Sequence, residues 1–295
     1  MKATTLHNKP SAQYADKLKA SIQAIQAAVG DQAERWTQAH SLGAEDVVVT
    51  HLLSQAGVLP QMRVFVLQTG KLHMETLSLL PVLERHFGIR LVRFEPEPQA
   101  VVQFVREHGE RAMFDSVALR KACCELRKMV PLRQALADKI GWITGLRREQ
   151  SNTRAEVPIL EQEAERAKLN PLADWTWGDV WHCIAQNALP YNPLHDAFFP
   201  SIGCEPCTRA ISLGEDFRAG RWWWEDSGAK ECGLHVKPHA SESSRTAGSA
   251  QAHVGEADVK DAIASGRSQH SGAKECGLHV KPTPHTSIRT QESTT

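Results

Sequence analysis

Apolar positions early in the chain recur at helical spacing: Tyr14, Leu18, Ile22, Ile25 and Val29 share one face, which predicts an amphipathic helix. After Trp36, SLGAEDVVVTHLLSQAG predicts a turn at Ser41–Gly43 and an apolar helix from about Glu45, ended by Gly57. RVFVL at 63–67 is a continuous apolar run, the pattern of a strand buried on both faces. QTGKLHMETLSLL predicts a loop and then a helix, and RLVRF at 90–94 predicts a second strand. Helical patterns fill 97–108 and 116–138, where Pro131 starts a new helix or sets a kink. GWITG at 141–145 predicts a strand that ends in the polar loop LRREQSNTRAE. Strands alternating with helices predict an α/β fold, a parallel sheet flanked by helices on both faces. Ligands of such folds sit beyond the carboxyl ends of the strands, where SLGAED, QTGKLH and TGLRREQSNTR fall.

The pattern changes twice more. Six of the eight tryptophans lie between 175 and 224, so this stretch predicts packed loop around one helix at GDVWHCIAQNA. Residues 239–295 contain no aromatic residue and are rich in Ser, Thr, Ala and His. They bury too little surface to offset ordering entropy, so a flexible C-terminal tail is expected, with VGEADVKDAIASG as a short helix inside it. The block SGAKECGLHVKP at 227–238 recurs letter for letter at 271–282. Two copies do not make a solenoid; the duplication reads as an extension that copied an existing end. The chain therefore divides into a domain over 1–225, a mobile segment over 226–238 and a low-complexity tail over 239–295.

Composition narrows the class. The 295 residues are 41% apolar, enough for one large or two modest cores. Lys+Arg and Asp+Glu are equal at 34 each, so no global field argues for a nucleic-acid partner. MKATTLHNKPSAQYADKLKA lacks the apolar stretch of a secretory signal, and no run is long enough to span a bilayer. A cytoplasmic protein with no membrane contact is expected. Cysteines stay reduced there, and Cys-x-x-Cys is read first as metal-binding or redox-active.

The cysteines carry the chemistry. Cys123–Cys124 and the pair Cys204 and Cys207 in SIGCEPC supply four thiolates from two segments. Adjacent cysteines are unusual for zinc, which favours two Cys-x-x-Cys pairs, whereas an iron–sulfur cube accepts neighbouring sulfurs on different irons. A set of buried small hydrophobes is the plainer alternative. Lys121, Arg127 and Lys128 beside the pair would offset a cluster's negative charge. Cys183, in WHCIA on an apolar helix, reads as core. Cys232 differs: Lys230, Glu231, Gly233 and His235 surround it, a setting for an activated thiolate on a moving segment. Cys276 repeats that setting farther along. Ser41, Gly43 and Asp46 open a helix whose free N–H groups suit phosphate. Arg147, Arg148, Gln150, Ser151 and Arg154 form a polar cluster after a strand, and Arg218 and Arg221 precede Cys232; guanidinium forks bind oxyanions. Solvated loop faces are the alternative for any one arginine. Of the histidines, only His73 in TGKLH and His235 in KECGLH stand out, because no HExxH or paired spacing occurs.

Taken together, SLGAEDVVVTHLL, LQTGKLHMET, KACCELRKMVPL, WITGLRREQSNTRAEVP, LPYNPLHDAFFPSIGCEPCTRAI and KECGLH resemble the assimilatory adenylyl-sulfate (APS) reductases, thioredoxin-dependent members of the PAPS/APS reductase family. The resemblance spans roughly residues 40–236. It implies an adenine-nucleotide α-hydrolase-like fold and reduction of APS to sulfite and AMP through an S-sulfocysteine, for cysteine biosynthesis. It implies a [4Fe-4S] cluster on Cys123, Cys124, Cys204 and Cys207, and Cys232 as the nucleophile. Lys128, His235, Arg218 and Arg221 are implied at the reacting centre, and Ser41, Gly43, Asp46, Thr69, Gly70, Arg147 and Arg154 at the substrate. Thioredoxin, or a glutaredoxin-like dithiol, is the implied electron donor, and a homo-oligomer is common among such proteins. SLGAED departs from the SGGxDS loop of related ATP pyrophosphatases, which suits a substrate with no β,γ-diphosphate. The second KECGLH, with Cys276, departs from the family pattern. The rival readings are a 3′-phosphoadenylyl-sulfate (PAPS) reductase, a non-catalytic nucleotide-binding redox sensor and a tRNA-thiolating ATP pyrophosphatase.

Overall fold

The computed structural model of the chain describes residues 1–163 and 165–225. The expected segment 226–238 with Cys232 and His235, and the tail with Cys276, lie outside the described residues.

Six strands form one sheet. They are β1 (Trp36–Ala39), β2 (Arg63–Leu67), β3 (Leu91–Phe94), β4 (Gly141–Ile143), β5 (Leu160–Gln162) and β6 (Ala167–Leu169), in the order β3-β2-β1-β4-β6-β5. All pairings are parallel except β5 with β6, a hairpin at the edge. The helices are α1 (Ala3–Leu6), α2 (Tyr14–Val29), α3 (Ala44–Gln55), α4 (Met74–Phe87), α5 (Pro98–His108), α6 (Val117–Cys124), α7 (Val130–Leu136) and α8 (Trp177–Gln186). Side chains alternate across β2: Val64 and Val66 face the large core that α2, α3, α4 and α8 complete, while Phe65 faces Leu132, Ala135, Leu136 and Trp142 on the α7 side. The expected α/β sheet with helices on both faces is therefore present.

The central strand β1 carries no apolar run. WTQA reads as polar, yet Thr37 and Gln38 are fully buried. Both are satisfied internally: Thr37 Oγ1 donates to the Arg63 carbonyl at 2.8 Å, and Gln38 Nε2 donates to the Asp46 carbonyl at 2.8 Å. Thr50 Oγ1 donates to Gln38 Oε1 at 2.8 Å, which locks α3 onto the strand. Buried polar groups paired in this way cost little, so the strand tolerates them.

The helical stretch over 116–138 divides near Pro131, as expected. A π turn at Glu125–Met129 separates α6 from α7, and Pro131 stands in the first turn of α7. Proline has no N–H to give the preceding turn, so the chain widens there. The aromatic stretch packs as expected: Trp181, fully buried, meets the rings of Trp177 at 5.4 Å, Tyr191 at 5.0 Å and His195 at 5.3 Å. Cys183 is fully buried in the same core.

Asp179 ties the N-terminal arm to α8. It accepts from Ser11 N at 2.7 Å, Thr176 N at 2.9 Å and Lys17 Nζ at 2.9 Å, and Thr176 Oγ1 in turn accepts from Asp179 N at 3.0 Å, closing a capping box. Burial alone would raise this carboxyl, but the bonds from Thr176, Ser11 and Lys17 overcome it and hold the pKa at about 2. A pKa held below the unfolded value of about 3.9 contributes stability above pH 4 that fades as pH falls toward 2. Asp179→Ala is expected to lose roughly 2–4 kcal/mol of unfolding free energy at pH 7. In denaturant titrations between pH 4 and pH 2, the gap between the variant and the native protein should narrow.

Candidate functional site: a cationic cavity beside four cysteines

A cavity of about 210 Å³ opens at the carboxyl ends of β1, β2 and β4. Part of its lining is apolar: Ala39, Phe65, Leu67, Leu132 and Trp142. Four cations line it as well: Lys128 from the π turn, Arg154, and Arg218 and Arg221 from the loop before Trp222. Arg221 is 7% exposed. Its Nη1 reaches only Ser201 Oγ at 3.3 Å and the Ile202 carbonyl at 3.5 Å, its Nε has no partner, and no carboxylate among the described residues pairs with it. A buried guanidinium with no counter-charge, facing a cavity, is an anion site in waiting.

The first turn of α3 forms one wall. Asp46 accepts from Ser41 N at 2.7 Å and Ser41 Oγ at 2.5 Å, which folds the Ser41–Gly43 loop back onto the helix. Leu42, between them, takes a left-handed φ of 66° while fully buried, a strained conformation of the kind found at ligand clamps. Gly145, just after β4, allows the approach: a Cβ there would stand 2.6 Å from Asp46 Oδ1. Burial raises the Asp46 pKa to about 6, against the bonds from Ser41. The expectation of free N–H groups at this helix start needs correction. Ala44 N donates to His195 Nε2 at 3.2 Å and Gly43 N to Ser41 Oγ at 3.3 Å, so side chains have already satisfied two of them.

Arg147 also departs from expectation. It does not line the cavity. Fully buried, it donates to Glu45 Oε1 from Nε at 3.2 Å and from Nη2 at 3.1 Å, and lies over the rings of Trp177 and Phe217. The same Glu45 oxygen accepts from Gln150 Nε2 at 2.9 Å, and Gln150 Oε1 accepts from Arg154 Nη1 at 2.6 Å. Arg147 thus braces the loop that presents Arg154. Gly70 is structural too: with φ 71°, it leaves room for Arg127, whose Nη1 donates to the Thr69 carbonyl at 2.8 Å. Ser41, Gly43, Asp46, Thr69, Arg154, Lys128, Arg218 and Arg221 all line the cavity; Cys232 and His235 are outside the described residues.

The four cysteines gather behind this cavity. Cys123 and Cys124 end α6, and Cys204 and Cys207 flank a single turn in which Cys207 N donates to the Cys204 carbonyl at 3.0 Å. All four line a second, smaller cavity with Arg120, Arg127 and Lys128. None is in a disulfide. Burial, with Cys204 nearby, pushes the Cys207 thiol up to about 12, and burial raises Cys123. Four buried thiols faced by three cations suit a metal centre that would draw off their protons. Among the described residues no three such side chains converge on one point as a single ion requires. Thiols spread around a cavity fit a cluster, in which each binds a different iron.

Three residues join the cavities, Lys128 among them because it lines both. Thr69 lines the first and its Oγ1 lies 3.3 Å from Cys204 Sγ. Trp222 lines both. Sequence reasoning did not single out Trp222, nor His40 and His195. His40 Nδ1 accepts from Leu42 N at 2.9 Å, and burial takes the pKa of the ring down to about 3, so it shapes the loop as a neutral group. Their only sequence signal was position, beside SLGAED and within the aromatic stretch.

The comparisons agree with this geometry. The sequence matches the phosphoadenosine phosphosulfate reductase domain over residues 35–210. It is 52% identical over 204 residues to an adenosine 5'-phosphosulfate reductase of Allochromatium vinosum, covering 68% of this chain and 79% of that protein. A protein of the same name from Burkholderia cepacia is 50% identical over 217 residues, covering 73% and 86%. The crystal structure of a phosphoadenylyl-sulfate (PAPS) reductase from Candida auris shares the fold with a TM-score of 0.53 at 22% identity, over 67% of this chain and 97% of that one. Half of the aligned residues are shared with these relatives across more than two thirds of the chain, and the protein belongs to the phosphoadenosine phosphosulfate reductase family.

Proposed function

We propose that the protein reduces adenylyl sulfate to sulfite and AMP in assimilatory sulfate reduction, in the cytoplasm. The observation that carries this reading is the buried Arg221, which has no carboxylate partner among the described residues, in a cavity lined also by Lys128, Arg154 and Arg218 and by apolar side chains. An apolar slot suits adenine, and the cations suit a phosphosulfate. Relatives at about half identity carry the APS reductase name.

Cys232 supplies the nucleophile. Its thiolate attacks the sulfur of the bound phosphosulfate, the sulfur–oxygen bond to the phosphate breaks, and AMP departs with the electron pair. The sulfonate remains on Cys232 as S-sulfocysteine. Lys128, Arg154, Arg218 and Arg221 stabilise the negative charge that spreads as the bond breaks. His235, three residues past the thiol, is assigned to the reacting centre. A thiolate of thioredoxin, or of a glutaredoxin-like dithiol, then attacks Cys232 Sγ, expels sulfite and resolves the mixed disulfide with its second thiol. Two electrons come from that dithiol. Cys123, Cys124, Cys204 and Cys207 would hold a [4Fe-4S] cluster, whose chemistry here is to set the local electrostatics.

Radiolabelled APS tests the covalent step. Cys232→Ser should leave no label on the protein and release no sulfite, whereas Cys276→Ser should remain near native rates. The reverse result moves the nucleophile to the second copy. Equal turnover of PAPS in competition would instead favour the PAPS reductase reading. Anaerobic preparations should contain iron and absorb in the visible, and Cys204→Ser should lose both; an iron-free, zinc-bearing native protein would overturn the cluster assignment.

Asp46 yields a pH test with two opposite signs. Protonating it near pH 6 weakens its hold on Ser41, so kcat/KM should fall as pH drops through about 6. Its folded pKa stands above the unfolded value, so stability should rise over the same interval, from pH 6 toward pH 4. Parallel changes in activity and stability would rule out this role for Asp46.

A further inference from the structure

The stretch after Cys207 folds back on itself. Arg209 N donates to the Gly220 carbonyl at 3.0 Å, and Thr208 pairs with Arg221 in an isolated antiparallel bridge. Gly220 permits this closure: a Cβ there would stand 2.3 Å from the Arg209 carbonyl oxygen. Glu215 accepts from Arg209 Nη2 at 2.8 Å and from Ser212 N at 2.6 Å, so the first half of the loop is pinned from within. Compact loops whose ends meet in this way often carry function. This one presents Arg218 to the larger cavity.

The second half is held from outside. Phe217, the one aromatic residue of the loop, meets Trp177 edge-on with ring centres 5.0 Å apart. Arg147 Cζ lies 5.5 Å from the centre of the Phe217 ring and 5.2 Å from that of Trp177. Both partners are themselves fixed. One oxygen of Glu149 accepts from Arg147 Nη1 at 2.7 Å and from Trp177 N at 2.6 Å, and Glu45 accepts from Arg147 as well. Phe217 therefore docks on groups that are already in place. Arg218 follows it directly, and Arg218 N donates to Asp216 Oδ1 at 2.9 Å, which turns the chain at Phe217.

We propose that Phe217 is a positioning residue for the reaction: its ring, docked on Arg147 and Trp177, sets where Arg218 stands in the cavity. An arginine on an unheld loop loses side-chain and backbone freedom when it meets an anion, and that cost is taken from binding. With Phe217 docked, the loop is ordered before the anionic end of the substrate arrives. Arg147 then braces two cavity arginines at once, Arg154 through Glu45 and Gln150, and Arg218 through Phe217. The inference rests on the cavity as the APS site. The two fail apart: a native protein that releases no sulfite from APS removes that reading and the inference with it, whereas sulfite release unchanged by loss of the ring removes the inference alone.

The test is a double-mutant cycle on the anaerobically purified full chain. Phe217→Leu removes the ring and keeps apolar bulk, Phe217→Tyr keeps the ring, and Arg218→Met removes the guanidinium. The ratio kcat/KM is read from sulfite release with APS and reduced thioredoxin. Adenosine, which lacks the anion, is titrated by equilibrium dialysis. Phe217→Leu should lose about tenfold in kcat/KM and Phe217→Tyr should stay within about twofold of native, while every variant binds adenosine within about twofold of native. With Arg218→Met already present, Phe217→Leu should cost less than about twofold more, because the two changes remove one effect. Native kcat/KM in Phe217→Leu would overturn the proposal. So would an undiminished loss in the Arg218→Met background, or a loss of adenosine binding in step with kcat/KM, since either marks a ring that acts on the ligand or the fold directly. Should Phe217→Leu fold poorly, Phe217→Met takes its place in the cycle.

Discussion

Glu45 is the constraint on which the site depends. It stands in the first turn of α3, and one of its oxygens accepts from Arg147 and Gln150 together. Gln150 passes the restraint on to Arg154. The loop after β4 is thereby fastened to the helix that follows β1, so the two strands at the centre of the sheet open into one cavity wall. Burying Arg147 completely would be costly without this partner. Stacking on Trp177 and Phe217 adds to the Coulomb attraction and fixes the plane of the guanidinium. Loss of Glu45 would leave Arg147 with the half-exposed Glu149, 2.7 Å from its Nη1, as its remaining carboxylate and would release Gln150, so damage would spread to Arg154 though Glu45 itself only supports it.

Much of the fold is legible in the sequence because α2, α3 and β2 carry their burial in their apolar pattern. RVFVL is apolar on both faces since both faces are covered, and the strand is Arg63–Leu67. β1 is not legible, because its buried side chains are polar and their partners, Arg63, Asp46 and Thr50, come from other elements. The hairpin of β5 and β6 is equally hidden: Leu160 is exposed and Lys168 is buried, the reverse of what their side chains suggest. Lys168 is tolerated there because its ammonium lies over the Trp142 ring with Glu161 and Glu163 nearby.

The site follows the same division. Four cysteines in two close pairs announce a shared centre, and the fold brings them to one cavity. Arginine type alone does not separate a ligand-binding guanidinium from a bracing one. Arg147 and Arg154 stand in one loop with similar neighbours in sequence, yet Arg154 lines the cavity and Arg147 stands behind it. The distinction lies in Glu45, about a hundred positions away, which no local pattern reveals.

Trp222 forms part of the wall of two cavities that cations line on either hand. Arg120, which lines the smaller cavity, and Arg221, which lines the larger, both lie over its indole, and it takes a left-handed φ of 44°. With Arg218 5.9 Å from the same ring centre, three guanidinium groups gather at one ring and repel one another. Glu225 answers the charge of Arg120, while among the described residues Arg221 has only a hydroxyl and a carbonyl. The imbalance is one-sided, so an anion entering the larger cavity relieves it, and the relief is greatest where the unpaired cation points. Binding energy is thereby concentrated at the charged end of the ligand and not at its base. This is the end at which negative charge must be accommodated when a thiolate approaches a sulfonate. A neutral ring in place of Arg221, or a carboxylate beside it, would keep the cavity and remove that bias.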